Sequence, residues 1–211
     1  MILTIGGIKG GNGKSTIATN LAVMRSCAGK DLLLVDADEQ KSSTIFAAIR
    51  REEHPERPQF TCTILVNEGV RDNVPTLHEK FDDVIIDVGG RDTVSQRASI
   101  SVSDILLVPF NPRAVDIWTI EDIEKMMERM RLLNDRIRVV GFINRADPVG
   151  SDNADSREIL RSLAWMEFAD STIVNRKAFG KAMAHGLSVA ELRPLDYKAR
   201  DEMQALYGHI F

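Results

Sequence analysis

The feature that most constrains the fold is a glycine-rich loop near the start of the chain, between an apolar run and a helical pattern. The run Met1–Ile5 predicts a strand, residues 14–28 predict a helix, and the loop between them is Lys9-Gly10-Gly11-Asn12-Gly13-Lys14-Ser15. Glycines let backbone N–H groups converge on phosphate oxygens without side-chain clashes, and the helix presents its positive end to the same anion. This order of strand, loop and helix predicts a phosphate-binding loop.

The remainder of the chain alternates short apolar runs with longer helical patterns. The further predicted strands are residues 31–35, 60–65, 83–87, 104–109 and 137–143. The further predicted helices are residues 42–52, 67–80, 114–133, 155–166, 176–185 and 196–208. This alternation is typical of βαβ units, so we expect an α/β fold with a doubly wound, mostly parallel sheet flanked by helices. No linker or repeat divides residues 1–211, so we expect one domain with its ligand at the carboxyl ends of the strands.

Composition limits the function classes. At a formal net charge of −4 the chain has no overall basic field, so any contact with nucleic acid must come from a local patch. No apolar run approaches the roughly 20 residues that span a bilayer, and no signal sequence precedes the first strand, so we expect a cytoplasmic protein. The two cysteines, Cys27 and Cys62, are expected to be buried and reduced. Met126, Met127 and Met130 are expected to fill the core or an interface.

The first helical turn supplies groups suited to a nucleotide. Lys14 would neutralise charge on the β and γ phosphates, and the Ser15 hydroxyl would complete the shell of a magnesium ion. Thr16 is placed for a contact with the α phosphate. Acidic residues follow two of the predicted strands, with Asp36 and Asp38 after one and Asp87 at the end of the other. Their charges are expected at the ligand edge of the sheet.

The run Lys-Gly-Gly-x-Gly-Lys-Ser resembles the deviant Walker A motif of the ParA/MinD family of ATPases. The general phosphate-loop pattern has glycine at the position of Ile8, whereas this chain has an extra lysine, Lys9. The resemblance implies that Lys9 reaches across a dimer interface to the partner's nucleotide, as a positive charge supplied in trans. It also implies ATP and Mg²⁺ as cofactors, and a single P-loop ATPase domain over residues 1–211.

Two acidic motifs extend the resemblance. The segment from Asp36 to Gln40 is similar to the family's Asp-x-Asp-x-Gln, although Glu39 stands where proline is common. In the family, Asp38 would position or activate the attacking water, and Asp36 would lie near magnesium through coordinated water. Asp87 is similar to the Walker B aspartate that holds Mg²⁺ through its water shell.

The glycine pair 89–90 could act as a γ-phosphate-sensing switch. Asn144 and Arg145 end a late strand where the family places an adenine-contacting asparagine; a simple turn is the alternative.

The expected site residues divide by role. The catalytic residues are Lys9, Lys14 and Asp38. The nucleotide-binding residues are Gly10, Gly11, Asn12, Gly13, Lys14, Ser15, Thr16, Asn144 and Arg145. The metal-binding residues are Ser15, Asp36 and Asp87.

The resemblance covers most of the chain. Residues 108–116 look like the family's segment after the fifth strand, and residues 176–189 are similar to its late arginine-to-glycine helix and turn. The chain looks most like the small, ParF-type partition proteins. That likeness implies an ATP-bound dimer that binds double-stranded DNA without sequence preference. It also implies a centromere-binding, ParB-type partner that stimulates hydrolysis, and a location in the cytoplasm on the nucleoid.

A basic segment is the candidate DNA surface. Between residues 176 and 200 six basic and two acidic residues give a net charge of +4. The basic residues are Arg176, Lys177, Lys181, Arg193, Lys198 and Arg200. Clustered cations of this kind suit binding driven by counterion release, although a solvated helix face would have the same composition.

Two other functions remain open at this stage. A MinD-like positioning ATPase would require an amphipathic, basic helix for a membrane surface, whereas residues 201–211 contain no lysine or arginine. A metabolic synthase could use the same phosphate loop, although no pattern in the sequence indicates an organic-substrate pocket.

Overall fold

The computed structural model describes residues 1–7, 9–90, 93–112, 117–148 and 152–211, with side chains for all of these except 117–119 and 152. The strands in these ranges are β1 (Ile2–Ile5), β2 (Leu32–Ala37), β3 (Thr61–Ile64), β4 (Asp83–Val88), β5 (Ile105–Phe110), β6 (Arg138–Ala146) and β7 (Glu167–Val174). The helices are α1 (Lys14–Cys27), α2 (Ser42–Glu53), α3 (Glu68–His78), α4 (Val94–Val102), α5 (Ile117–Arg131), α6 (Asp152–Arg161), α7 (Lys177–Ala184) and α8 (Tyr197–Ile210). Strands and helices alternate from β1 to α7, which confirms the predicted α/β class.

The strands form one parallel sheet in the order β3-β2-β4-β1-β5-β6-β7. The chain leaves β1 toward β2 on one side and later leaves β4 toward β5 on the other side, so its direction changes beside β1. In an open α/β sheet such a reversal leaves a crevice at the carboxyl ends of the strands. The glycine loop follows β1 and therefore lies in this crevice.

The inner strands are buried on both faces, which explains their continuous apolar sequences. Every residue of β2, β4 and β5 is buried. Helices α1, α2, α7 and α8 pack on one face, around Leu21 and Phe46. On the other face Met126, Met127 and Met130 of α5 are 5%, 1% and 3% exposed, so the prediction that they fill the core is confirmed.

The sequence analysis missed two elements, helix α4 and strand β7. β7 is the more C-terminal of the two. Its Ala169, Ser171 and Ile173 are buried while alternate positions are partly or fully exposed, so it lacks the apolar run of the inner strands. Among the described strands β7 pairs only with β6 and so forms one edge of the sheet, where a polar sequence is tolerated. The helix predicted over residues 155–166 ends earlier, at Arg161, because the chain turns there to enter β7.

The prediction of buried cysteines is wrong for Cys27, which is exposed. Cys27 is the last residue of α1, where the helix reaches the surface. Cys62 lies on the edge strand β3 and is of intermediate exposure.

Candidate functional site

The glycine loop forms one wall of a cavity of about 1020 Å³. Gly11 and Gly13 have φ values of 77° and 80°, in the left-handed region that glycine adopts without strain. The Gly13 carbonyl oxygen accepts a hydrogen bond from the Ile17 N–H at 3.0 Å, which begins α1. Lys14 and Ser15 therefore lie in the first turn, at the positive end of the helix dipole. The predicted residues of the loop and first helical turn that line this cavity are Gly10, Gly11, Gly13, Lys14, Ser15 and Thr16.

Lys14 is held between a backbone carbonyl and two carboxylates. Its Nζ donates a hydrogen bond to the Lys9 carbonyl oxygen at 3.0 Å. Burial lowers the pKa of Lys14, and the charges of Asp87 and Asp38 oppose that shift. The ammonium group thus lies between the loop and the acidic side of the cavity. Lys9, which carries that carbonyl, is itself partly exposed.

The sheet register brings two of the predicted metal-binding residues together. Asp36 on β2 and Asp87 on β4 are paired positions in adjacent parallel strands, and Asp87 also pairs with Ile5 of β1. Both aspartates are fully buried. Because the glycine loop follows Ile5, the two carboxylates lie at the strand ends beneath the loop.

The carboxylate of Asp87 has one oxygen with a donor and one without. Oδ2 accepts a hydrogen bond from Ser43 Oγ at 2.7 Å, while the buried Oδ1 has no partner within the described ranges. Burial raises the pKa of Asp87 to about 7, and the hydroxyls of Ser43 and Ser15 oppose that rise. A buried carboxylate oxygen without a donor is suited to a cation.

The donor set fits magnesium bound together with a nucleotide. In such sites Mg²⁺ takes one or two protein oxygens and completes its shell with phosphates and water. Ser15 and Asp87 supply a hydroxyl and a carboxylate. The described residues contain no group of three or more His, Cys, Asp or Glu side chains that could form a protein cage for a metal.

Asp36 has a different environment from Asp87. Its Oδ2 accepts hydrogen bonds from the Thr44 N–H and hydroxyl at 2.7 and 2.9 Å, and its Oδ1 accepts from the Asp38 N–H at 3.2 Å. Asp36 therefore caps the first turn of α2 and fixes the backbone at Asp38. These three bonds use much of the accepting capacity of the Asp36 carboxylate, so a contact with magnesium through water fits this environment.

Asp38 and the glycine pair 89–90 also line this cavity. A Cβ atom on Gly89 would lie 3.3 Å from Asp38 Oδ1, and one on Gly90 would lie 2.4 Å from Gly10 Cα. The backbone at 89–90 therefore fills the space between the loop and Asp38. Glycine at position 90 is required by this approach of two backbones.

Asn144 and Arg145, at the end of β6, contact the loop directly. Asn144 is buried and its Nδ2 donates to the Asn12 carbonyl oxygen at 2.6 Å. Arg145 is exposed and its Nη1 donates to the Gly11 carbonyl oxygen at 2.5 Å. The structure thus places both predicted base contacts against the phosphate loop.

A second cavity, of about 780 Å³, adjoins the first. Its polar side includes Asn144, Arg145 and Asn175, and its apolar side includes Phe46 and Phe179. The two cavities share Gly13, Thr16, Ser42, Arg145 and Met183. Thr16 is therefore at the junction, between the region of the phosphate loop and the more apolar space.

Two residues of the site were missed by the sequence analysis. Ser43 and Thr44 lie at the start of α2 and donate to the carboxylates of Asp87 and Asp36. The run of hydroxyl residues 42–44, a few positions after the Asp-x-Asp motif, was the available signal. Their partners depend on the angle between α2 and the sheet, which the sequence does not specify.

The candidate DNA-binding residues differ in availability. Lys177, Lys181, Arg193 and Lys198 are exposed. Arg176 is only partly exposed, because its guanidinium pairs with Glu202 at 2.6 Å. Arg200 pairs with Asp201 at 2.6 Å.

The count of six basic residues therefore overstates the free positive charge. Glu202 and Asp201 lie just outside the window that the sequence analysis considered.

Several predicted features lie outside the described residues. These are Ile8 in the phosphate-loop pattern, residues 113–116 in the segment after β5, and the start of the helix predicted over residues 114–133.

Comparisons with known proteins show the family to which the chain belongs. The model of the CobQ/CobB/MinD/ParA nucleotide binding domain matches residues 3–189. Maintenance of carboxysome distribution protein A from Halothiobacillus neapolitanus is 22% identical over 209 residues, which cover 99% of this chain and 95% of that protein. Protein ParA from Rhizobium radiobacter is 30% identical over 118 residues, covering 54% of this chain and 50% of that protein.

A solved structure supports the fold. The crystal structure of a plasmid partition protein from Borrelia burgdorferi bound to AMPPNP superposes with a TM-score of 0.70 at 20% identity, covering 100% of this chain and 99% of that chain. Because the family model matches most of the chain and includes the phosphate loop, both carboxylate motifs and β6, this protein belongs to the CobQ/CobB/MinD/ParA nucleotide-binding family.

Proposed function

We propose that this protein is a DNA-segregation ATPase in which residues 1–211 form a single P-loop ATPase domain. ATP would hold two copies in a sandwich dimer that binds DNA without sequence preference, and hydrolysis stimulated by a cargo-bound partner would release it. The observation that carries the proposal is the cavity where the loop with Lys9 and Lys14 faces Asp38 and lies above Asp36 and Asp87.

The two adjoining cavities suit the two halves of a nucleotide. The phosphates would lie in the glycine loop, where Lys14 and the α1 dipole favour negative charge. Thr16, at the junction, would contact the α phosphate. The nucleoside would enter the second cavity, whose apolar side includes Phe46 and Phe179.

Magnesium would be held by Ser15 and Asp87, and by Asp36 through water. When bound, the ion would neutralise charge on the β and γ phosphates. The buried, unpartnered Oδ1 of Asp87 supports this assignment.

Hydrolysis is assigned to Asp38 because its carboxylate lines the cavity beside the loop and the glycine pair 89–90. We expect Asp38→Ala to bind ATP, to hydrolyse it slowly and to persist as a dimer in light scattering. A similar solved structure, that of a plasmid partition protein, is bound to AMPPNP. Nucleotide binding by Asp38→Ala is therefore the control for this experiment. Rapid turnover by Asp38→Ala would remove Asp38 from this role.

Dimer formation is assigned to Lys9. We expect Lys9→Ala to keep nucleotide binding in calorimetry and to lose the ATP-dependent dimer. Normal dimerisation of this variant with ATP would refute the trans-acting lysine.

The proposed DNA surface consists of the exposed cations Lys177, Lys181, Arg193 and Lys198, with smaller contributions from Arg176 and Arg200 because each forms an ion pair. Lys177 and Lys181 are four residues apart on α7 and so share one helix face. Neutralising phosphates releases counterions, so affinity should fall steeply with salt.

The deciding experiment measures binding to a duplex of arbitrary sequence, with ATP and with ADP, across a salt series. We expect tight binding with ATP only, and weaker binding for the double variant Lys177→Ala, Lys181→Ala. Lys30→Ala, an exposed lysine next to the start of β2, is the matched control. No DNA binding by a protein that still dimerises with ATP would refute the segregation function.

A MinD-like positioning ATPase is the alternative. No helix in the described ranges is long and apolar enough to cross a membrane. The apolar residues Met203, Leu206 and Ile210 of α8 are buried in the core, so this helix does not offer an apolar face to a lipid surface. We therefore propose a cytoplasmic, nucleoid-associated protein. Sedimentation with anionic vesicles in the presence of ATP would support the alternative.

The nature of the cargo is a separate question. Relatives of the chain include a carboxysome distribution protein as well as ParA. We propose a ParB-type, centromere-binding partner, and an ATPase assay with candidate partners plus DNA would test it.

A further inference from the structure

We propose that Arg145 and Asn144 are positioning residues that turn the backbone N–H groups of the phosphate loop toward the nucleotide. This role differs from contact with the base, which the family resemblance implies. The inference rests on the proposed nucleotide-binding function and concerns the phosphate half of that site.

Three successive carbonyl groups of the loop have protein donors. The Gly11 oxygen accepts from Arg145 Nη1 at 2.5 Å, and the Asn12 oxygen accepts from Asn144 Nδ2 at 2.6 Å. The Gly13 oxygen accepts from the Ile17 N–H at 3.0 Å. Thus each carbonyl between the middle of the loop and α1 is fixed.

Because the peptide group is planar, the hydrogen bonds to the loop carbonyls also determine the direction of the loop N–H groups. In a planar trans peptide the C=O of one residue and the N–H of the next point in opposite directions. Holding the carbonyls of Gly11, Asn12 and Gly13 on the protein side therefore directs the N–H groups of Asn12, Gly13 and Lys14 the other way. The left-handed conformations of Gly11 and Gly13 make this row of N–H groups concave, as in other anion-binding loops.

The loop is also attached at its middle. Asn12 Nδ2 donates to the Pro109 carbonyl oxygen, at the end of β5, at 3.3 Å. The Asn144 amide is packed so closely that a Cβ on Gly13 would lie 2.7 Å from its Nδ2. Hydrogen bonds thus connect the loop to the ends of β5 and β6, although the loop itself follows β1.

The backbone at Arg145 supports a specific placement of its side chain. Arg145 has a φ of 55°, a left-handed conformation that is uncommon for a residue other than glycine. Such conformations persist where the surrounding structure requires them. Here the conformation coincides with the bond between the guanidinium and the Gly11 carbonyl.

A triphosphate without a nucleoside distinguishes the two roles, because it can be bound by the phosphate loop but offers no base to contact. Calorimetry would compare ATP with inorganic tripolyphosphate, each with Mg²⁺, for the full chain and for Arg145→Ala, Arg145→Gln and Asn144→Ala. Arg138→Ala is the control, because Arg138 lies at the opposite end of the same strand and pairs with Glu167. Thermal unfolding of each variant would show whether Asn144→Ala still folds; the exposed Arg145 is the safer position.

We expect Arg145→Ala and Asn144→Ala to weaken ATP and tripolyphosphate by the same factor, about five- to thirtyfold, as loss of one well-placed hydrogen bond allows. Arg145→Gln keeps a donor without the charge, so we expect it to retain more affinity than Arg145→Ala. The ratio of the affinities for ATP and GTP should be the same in these variants as in the unmodified protein.

Weaker ATP binding with unchanged tripolyphosphate binding would overturn the proposal, because it would show contact with the nucleoside. An Arg145→Gln variant as weak as Arg145→Ala, or an equal effect of Arg138→Ala, would also overturn it in favour of a general charge effect. Failure of the unmodified protein to bind either ligand would instead refute nucleotide binding itself.

Discussion

The buried carboxylate of Asp87 gives a stability test that needs no enzymatic assay. Its pKa is raised by burial from 3.8 to about 7 in the folded protein. Between pH 3.8 and pH 7 the folded state therefore holds a proton that the unfolded state has lost. The contribution of this proton to stability is fully present below pH 3.8 and is lost as the pH rises through 7. Since one pKa unit corresponds to about 1.4 kcal/mol, the loss amounts to about 4 kcal/mol.

Replacement of Asp87 by asparagine removes this pH-dependent loss. We compare the free energies of unfolding of the two proteins without nucleotide or Mg²⁺. From pH 4 to pH 8 the unmodified protein should lose about 4 kcal/mol relative to Asp87→Asn. A new amide N–H without an acceptor would lower the variant's stability by a roughly constant 1–3 kcal/mol and would not alter the pH trend. Urea denaturation at several pH values measures the difference directly.

Two comparisons make the test strict. The variant Asp72→Asn removes an exposed carboxylate on α3 and should show no such trend. With Mg²⁺ and ATP, the unmodified protein should gain stability that Asp87→Asn does not. A difference that stays constant between pH 4 and pH 8 would refute the interpretation of Asp87 as a buried carboxyl group that holds a proton below pH 7.

Three further changes test other parts of the structure. Gly90→Ala should weaken nucleotide binding at least tenfold in calorimetry, because its Cβ would lie 2.4 Å from Gly10 Cα. Arg50→Ala should lower the free energy of unfolding by about 3 kcal/mol in urea, because Glu191, only 10% exposed, would lose its fully buried partner and keep only the partly exposed Arg57. Ser43→Ala should move the pH-dependent loss of stability to higher pH, because the Ser43 hydroxyl lowers the pKa of Asp87.

Each of these changes has a result that would contradict it. Gly69→Ala is the control for the glycine variant, since nothing lies within 4 Å of a Cβ there. Equal nucleotide affinity in both glycine variants would exclude the close backbone approach at position 90. A small effect of Arg50→Ala would mean that Arg57 and solvent are enough to stabilise the Glu191 carboxylate. An unchanged pH profile for Ser43→Ala would argue against its bond to Asp87.

The phosphate loop and the inner strands could be predicted because their patterns are local. Five inner strands are buried on both faces, so apolar runs such as Leu32–Val35 identify them. The loop's glycines, Lys14 and Ser15 are contiguous in the chain. Strand β7 was missed because its residues alternate between buried and exposed positions at the sheet edge.

The contacts between distant segments could not be predicted from the sequence. The strand order, which pairs Asp36 with Asp87, depends on which crossover passes over which strand. Likewise, the bond from Asn144 to the Asn12 carbonyl depends on a separation of a few ångströms between two loops. Sequence resemblance supplied a candidate role for Asn144, but only the geometry shows what its amide touches.

Side-chain hydrogen bonds hold helix α2 near its first and last turns, and these bonds limit its local unfolding. Its first turn is bound to the two buried aspartates through Ser43 and Thr44. Near its last turn, Arg50 donates to the Gly186 carbonyl and to Glu191. Residues 43–50 cannot unwind without breaking these bonds, so their amide hydrogens should exchange with solvent only when a larger part of the protein opens. By contrast α3, whose buried residues are Val70 and Val74, has fewer such ties and should exchange sooner.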